Sequence, residues 1–270
     1  MDDDVTRIAD WVAEWLGGGG GFLLLTDYDG TLTPIVPSPD EAHLSEAVRG
    51  DLQALARSPR VHLGLVSGRD LTDLRVQVGV PEAIYAGCYG LEIEGPGIHF
   101  RHPDAEAQQE TLRAIGRQLS QRAPTVPGMR VEPKRFGLAV HYRHVSPDQI
   151  RRVEMEMARA IQQDGSRLKI FHGAKVLEIQ PQVGWNKGDS VLWIRDAVRR
   201  ASGKRLMVLY MGDDWTDEHA FEALVGQAIT IKVGSEAPAS RAAFRFPDVA
   251  DVQQLLAALA ARACMTGEGA

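Results

Sequence analysis

Apolar residues along the chain fall into two patterns: short unbroken runs, and longer stretches with apolar positions three and four apart. The sharpest run is Phe22-Leu23-Leu24-Leu25. Four apolar residues without a polar break suit a strand buried on both faces, the kind found in parallel sheets. Similar runs predict strands over 61–66, 84–86, 205–211 and 228–233. The helical spacing predicts helices over 5–16, 45–56, 70–77, 186–200, 216–224 and 249–261. The first of these ends in glycines 17–21, a helix stop and flexible joint; no Gly-Lys-Ser/Thr follows to make it a phosphate loop. Pro34, Pro37 and Pro39 mark an extended loop, and 91–94 with 98–100 read as a hairpin around Gly95-Pro96-Gly97. Strand and helix alternating in this way predict an α/β fold with a mainly parallel sheet.

The alternation breaks in the middle of the chain. A helix over 105–121, strands over 129–131 and 136–142, a helix over 147–163 opened by Pro147, and strands over 168–171 and 176–179 form a helix-strand-strand unit twice over. That is a self-contained α+β module of domain size. After Pro181 the first pattern resumes, so the module interrupts the sheet domain. The expected division is 1–103 with 181–270 as one domain and 104–180 as an insertion.

Composition narrows the class. The 270 residues are 44% hydrophobic and 24% charged, the balance of a folded globular protein long enough for a substantial core. A formal charge of −6 argues against nucleic acid as a partner, which would call for a basic stripe. It leaves room for a small anionic substrate in a local basic pocket. Cys88 and Cys264 are too few and too far apart for a disulfide framework or a zinc site, so a reduced cytoplasmic setting is expected. His141 and His144 have no cysteine or third ligand near in sequence to make zinc plausible. The start, Met1-Asp2-Asp3-Asp4, has the wrong charge for a signal peptide, and no apolar run approaches membrane length.

Candidate chemistry gathers where predicted strands end. Asp27-Tyr28-Asp29-Gly30-Thr31 follows the first run at once. Strand alternation points Asp27 and Asp29 the same way, and two such carboxylates repel unless a cation lies between them. Oxygen-only ligation suits Mg²⁺. The plainer alternative is a buried strand ending in an Asp-Gly turn. Ser67-Gly68-Arg69 closes the second strand, as an anion site or as a plain helix cap. Lys187, behind a predicted Asn186 cap, puts a cation at the positive end of a helix, mildly unfavourable at about 0.3–1 kcal/mol unless an anion joins it. Asp213, Asp214, Asp217 and Glu218 follow the fourth strand, more acids than capping needs. A metal is the better explanation, with Asp213 a ligand and Asp217 a ligand or a residue that positions one.

Taken in order, Asp27-x-Asp29-Gly30-Thr31, Ser67, Lys187 and Gly212-Asp213-Asp214-x-Thr216-Asp217 resemble the four motifs of haloacid-dehalogenase (HAD) phosphatases. With Glu132-Pro133-Lys134, His141-Tyr142-Arg143 and Leu177-Glu178-Ile179 added, the chain is similar from about Phe22 to Val249 to the trehalose-6-phosphate phosphatase family. The resemblance implies a Rossmann-like three-layer core with a parallel sheet and an inserted α+β cap domain over 104–180. It implies Asp27 as nucleophile and Asp29 as acid and base, with Ser67 and Lys187 holding phosphoryl oxygens. It implies Mg²⁺ on Asp27, the Asp29 carbonyl and Asp213, with Asp217 close by. It implies sugar contacts from Glu132, Lys134 and Glu178 in the cap; His141, Arg143 and Lys175 are further candidates there, and Ser67, Gly68 and Arg69 on the core side. Without the family, the charged cap residues would read as an exposed strand face with cross-strand pairs.

Three positions depart from the family pattern: Tyr89 where His is usual, Gly137 where Ser is common and Gln180 where Arg is common. All lie at the cap or hinge and bear on the sugar, not on phosphoryl transfer. The expected function is Mg²⁺-dependent hydrolysis of trehalose 6-phosphate by a monomer whose partner is a small phosphorylated sugar. Two alternatives stay open: a phosphatase for another sugar or glycoside phosphate, and an inactive sugar-phosphate-binding regulatory module.

Overall fold

The computed structural model describes residues 2–162, 167–173, 175–235 and 239–265. In chain order the elements are α1 (Asp2–Gly17), β1 (Gly21–Thr26), α2 (Glu46–Arg57), β2 (Val61–Val66), α3 (Leu71–Val78), β3 (Ile84–Gly87), β4 (Glu92–Gly95) and β5 (Ile98–Arg101). There follow α4 (Pro103–Glu106), α5 (Gln109–Arg122), β6 (Arg130–Lys134), β7 (Gly137–His141), α6 (Ile150–Gln162), β8 (Leu168–Gly173) and β9 (Val176–Pro181). The chain ends with α7 (Lys187–Ser202), β10 (Leu206–Gly212), α8 (Trp215–Ala223), β11 (Ile229–Val233), β12 (Phe244–Phe246) and α9 (Val249–Met265). These elements fall into two compact units, Met1–Phe100 with Trp185–Ala270, and Arg101–Gly184.

The first unit carries a sheet in the order β12-β11-β10-β1-β2-β3-β4-β5. Pairings from β12 to β3 are parallel, and β4 runs antiparallel to β3. The apolar run explains why β1 lies in the middle. Phe22 and Leu24 pack into one face of the sheet and Leu23 and Leu25 into the other, all fully buried. Each such side chain contributes about 1.5–3 kcal/mol relative to exposure. Residues of α1, α2 and α9 cover the first face, and residues of α7 and α8 cover the second, giving three layers. Because β2 and β10 flank β1 on opposite sides, successive crossovers leave β1 in opposite directions. The carboxyl end of β1 is therefore a switch point, where open α/β sheets bind ligands.

The second unit is a four-stranded antiparallel sheet, β6-β7-β9-β8, with α5 and α6 on one side. Leu138, Val140, Leu177 and Ile179 face the helices and meet Leu112, Ile115, Leu119, Val153 and Met157. Strand alternation turns Glu132, Lys134, His141 and Glu178 to the other side.

Several elements differ from the sequence expectation. The helix expected over 105–121 is two pieces, because Pro103 closes a separate turn with Ala107 N–H on its carbonyl, and Gln108 N–H bonds only three residues back, to Ala105 O at 3.1 Å. Pro147 opens a short 3₁₀ turn before α6 instead of the helix itself, and the expected end at Gln163 lies outside the described residues, as does the side chain of Cys264. The three-residue β12 carried no apolar run to announce it. β7 stops at His141; Tyr142 N–H still reaches Lys175 O at 3.0 Å in register with β9, and the chain then turns back, Val145 N–H on Tyr142 O at 3.1 Å. Arg143 therefore sits in a turn, not on the strand face with Ala139 and His141.

Candidate active site

β1 ends at Thr26, one residue before the first acid, and Asp27 N–H reaches across to Met211 O on β10 at 2.9 Å. The chain then folds back. The Tyr28 carbonyl accepts from Leu32 N–H (2.9 Å) and Thr33 N–H (3.2 Å), while Gly30 donates to Thr33 O (2.8 Å). Tyr28 turns into the core and donates its hydroxyl to Ala42 O at 2.7 Å, and burial pushes that phenol up to about 12. Gly30 has φ +79, and a Cβ there would lie 2.1 Å from Asp213 Oδ2. Only glycine allows both this turn and the approach of the second acidic loop.

Three carboxylates meet at this point. Oxygens of Asp27, Asp213 and Asp217 lie within 4.8 Å of one another. Lys187, the first residue of α7 and only 2% exposed, places Nζ 3.0 Å from Asp27 Oδ2 and 2.7 Å from Asp217 Oδ1. Asn186 caps α7, accepting from Gly188 and Asp189 N–H while Asp189 accepts from Asn186 N–H. The ammonium at this helix start is thus balanced by carboxylates brought in from β1 and α8. Burial works against the Lys187 charge, but Asp217 and Asp27 outweigh it and hold its pKa above the ordinary lysine range.

Asp217 is fully buried, and both its oxygens are engaged. Oδ1 accepts from Lys187 Nζ at 2.7 Å and Tyr210 OH at 2.5 Å, and Oδ2 accepts from Asp213 N–H and Asp214 N–H at 3.0 Å each. Gly212 makes the fit possible, since a Cβ there would stand 2.2 Å from Asp217 Cγ. Asp214 caps α8 by accepting from Thr216 N–H and Oγ1, at 2.8 and 2.6 Å. With one ammonium among several acids, protonation is favoured. Burial raises Asp27 well above the carboxylate range, with Lys187 opposing it. Asp213 is pushed to about 7 by burial and then by Asp217 and Asp214.

Asp29 lies apart from this cluster, its side chain 42% exposed. Arg69 grips it with two hydrogen bonds, Nε to Oδ2 at 2.6 Å and Nη2 to Oδ1 at 2.7 Å. The same guanidinium donates to Asp73 Oδ2 (2.7 Å) and Pro39 O (2.8 Å) and lies over the Tyr28 ring. Ser67, buried beyond the end of β2, accepts from Arg69 N–H through Oγ at 3.2 Å. It is no helix cap, because Asp70 caps α3 through Thr72 N–H. Gly68 lies against the Tyr89 ring; a Cβ there would stand 2.6 Å from its Cζ.

In the second unit the polar strand face is tied together pairwise. Lys134 Nζ lies 2.8 Å from Glu178 Oε1, and His141 Nε2 lies 2.7 Å from Glu132 Oε2. The His141 hydrogen bond holds the Glu132 carboxyl below its usual range. Gln180, one of the departures from the family pattern, donates to Glu178 Oε2 at 2.7 Å. Lys175 (φ +66) is exposed in the β8–β9 turn.

Sequence reasoning passed over Tyr210 and the Lys169 ammonium 4.5 Å over the Phe171 ring. Tyr210 reads as one more core residue in an apolar strand; only its hydroxyl on Asp217 gives it away. Gln180 was visible as a departure, and its reach to Glu178 follows from strand alternation. Among the described residues no helix is long and apolar enough to cross a membrane.

Comparison with known proteins puts this geometry in context. A family model described as trehalose-phosphatase matches residues 25–249. The trehalose-phosphate phosphatase of Mycobacterium avium (strain 104) is 37% identical over 232 residues, 83% of this chain and 58% of that protein. That of Mycobacterium tuberculosis (strain H37Rv) is 38% identical over 208 residues, 77% of this chain and 52% of that protein. The chain thus spans little more than half the length of these relatives. Among solved structures, a trehalose-6-phosphate phosphatase related protein superposes with a TM-score of 0.75 at 23% identity, covering 88% of this chain and 97% of that one. That likeness speaks for the fold.

Proposed function

Because the chain belongs to the trehalose-phosphatase family, we propose that it hydrolyses trehalose 6-phosphate to trehalose and phosphate through an aspartyl-phosphate on Asp27. The observation that carries this reading is the meeting of Asp27 with Lys187 at 3.0 Å and with Asp213 in one acidic cluster, at the carboxyl end of the central strand.

The cluster fits a hard divalent cation. Its donors are carboxylate oxygens, Asp27, Asp213 and Asp217, within 4.8 Å of one another, with Lys187 as the ammonium among them. Mg²⁺ uses one or two carboxylates and leaves positions for water and phosphate oxygens. Asp27, Asp213 and the Asp29 carbonyl would hold it. Asp217, its oxygens already engaged, supports Lys187 and the Asp213 loop instead. Bound there, the ion supplies positive charge beside the phosphoryl oxygens.

The chain's own residues do the rest. An Asp27 oxygen attacks phosphorus as the bond from phosphorus to the sugar oxygen breaks, and Asp29 gives that oxygen its proton. Asp29 then takes a proton from water as the water oxygen attacks the same phosphorus, freeing phosphate and restoring the Asp27 carboxylate. Arg69 takes one lone pair of each Asp29 oxygen and leaves another on each for a proton. Arg69 is therefore a positioning residue for the acid, with four of its N–H bonds already committed within the protein, and not a sugar ligand. Lys187 and Ser67 bear on the phosphoryl oxygens. The Arg101–Gly184 unit serves as the cap, where Glu132, Lys134 and Glu178 accept from and donate to sugar hydroxyls, with His141 holding Glu132 in place.

The test compares kcat/KM over a panel of sugar phosphates with Mg²⁺ and with chelator, for wild type and Asp27→Asn. Mg²⁺-dependent turnover favouring trehalose 6-phosphate, abolished in a folded Asp27→Asn protein, is expected. Equal or better turnover of glucose 6-phosphate defeats the substrate, and undiminished phosphate release by the variant defeats the nucleophile.

A further inference from the structure

A cavity of 610 Å³ opens beside the acidic cluster, sharing Gly30 and Asp213 with it. Its other walls include Ile35, Trp215, Glu218 and Lys232. Two of these are conspicuous by exposure. Trp215 is 56% exposed and Ile35 75%, although both flank a site whose Asp27 and Asp217 are buried and whose Asp213 is half-buried. Their placement at the rim of a reaction site puts two apolar surfaces within reach of whatever occupies it.

The polar groups of the cavity specify what that is. Trp215 is the first residue of α8, and the His219 ring meets it edge-on one turn later, with centroids 5.9 Å apart. That contact fixes the indole as a ready platform. Lys232, nearly buried, donates from Nζ to Asp214 O at 3.1 Å and lies 3.6 Å from Glu218 Oε1. The first contact is a hydrogen bond and the second an ion pair, so the ammonium brings donor capacity and charge to this wall. Glu218, whose Oε2 accepts from Arg241 N–H at 3.0 Å, brings Oε1 to the same wall. A flat aromatic face, a donor and an acceptor suit a pyranose ring, which has an apolar C–H face and an edge of hydroxyls.

We propose that the cavity between Ile35 and Trp215 is a carbohydrate subsite on the core unit, holding the sugar part of the phosphate ester on the indole of Trp215, with Lys232 and Glu218 on its hydroxyls. This rests on the function proposed above and adds a specificity determinant outside the cap. The phosphorus sits at Asp27 and the cavity begins at Asp213 and Gly30, so the ring and the reacting group occupy adjoining space.

The test measures kcat and KM for trehalose 6-phosphate and for acetyl phosphate, which has no ring to stack, in wild type, Trp215→Ala and Trp215→Phe. The ratio of kcat/KM for the sugar phosphate to that for acetyl phosphate should fall about tenfold in Trp215→Ala, carried by KM, and recover in large part in Trp215→Phe. An equal fall for both substrates would mean that Trp215 merely supports the acidic loop, and overturns the inference. So does an unaltered ratio with wild-type turnover intact. Wild-type protein that cleaves acetyl phosphate but not trehalose 6-phosphate instead removes the proposed substrate, and this subsite for it as well.

Discussion

Replacing Asp217 by asparagine takes one acceptor from a side chain that four donors share. Lys187 Nζ and Tyr210 OH converge on one oxygen, and the Asp213 and Asp214 N–H groups on the other. An amide has one oxygen, so its NH₂ must confront one of these pairs. The tyrosine hydroxyl can rotate, which favours turning the amide oxygen to the two fixed main-chain N–H groups. Lys187 is then left beside an NH₂ group in a dry site, with Asp27 as its remaining carboxylate. Each orphaned buried donor costs about 1–3 kcal/mol, and losing one partner of a buried ion pair about 3–5 kcal/mol. These overlap, so Asp217→Asn should lose about 3–5 kcal/mol, against a total stability of about 5–15 kcal/mol for an ordinary domain. Urea unfolding in chelator, followed by metal titration, measures both roles apart. A residue that supports Lys187 and the Asp213 loop loses stability with no metal present. If the variant unfolds in chelator within about 0.5 kcal/mol of wild type, the range of a neutral surface substitution, yet binds metal poorly, Asp217 is a ligand and the reasoning fails.

Two further outcomes follow from the same cluster. Gly30→Ala should cost about 1–2 kcal/mol from the positive φ alone. The new Cβ, 2.1 Å from Asp213 Oδ2, should displace that acid and lower kcat/KM about 100-fold; calorimetric metal affinity equal to wild type would count against it. Asp213, with its pKa raised to about 7, holds a proton below that pH which a metal must displace. Metal affinity should therefore rise with pH towards 7 and level off above it once the carboxyls are ionised, with proton release on binding at pH 6. Calorimetry in buffers of different ionisation enthalpy reads this directly, and affinity independent of pH from 6 to 8 would refute it.

Much of this was legible in the residues. Unbroken apolar runs gave the buried strands, because a strand covered on both faces leaves no polar side to alternate. The acids after β1 and β10 stood out because capping alone does not need so many. What the sequence hid was direction. Asp27 and Asp29 were expected side by side, yet the turn at Gly30 sends one into the cluster and the other to Arg69. Arg69 was read as a substrate ligand, and nothing in one dimension shows that Asp29, Asp73 and Pro39 would also meet it. Arg143 was placed on a strand by alternation, but the turn closed by Val145 N–H on Tyr142 O takes it off that strand. The charged residues of β6 blurred its extent, since apolar periodicity follows only the side that faces α5 and α6.

The central strand has a further consequence, for the order in which the protein takes shape. β1 is synthesised well before β10, its partner from Gly21↔Leu206 to Thr26↔Met211, which emerges only after the whole insertion has been made. Until then one edge of β1, among the most apolar stretches in the chain, presents unpaired N–H and C=O groups, a template on which other strands can add. Fragments that stop within the insertion should therefore aggregate even where every residue they contain is native. The waiting time on the ribosome, set by the length of the inserted segment, becomes a selectable property of the chain.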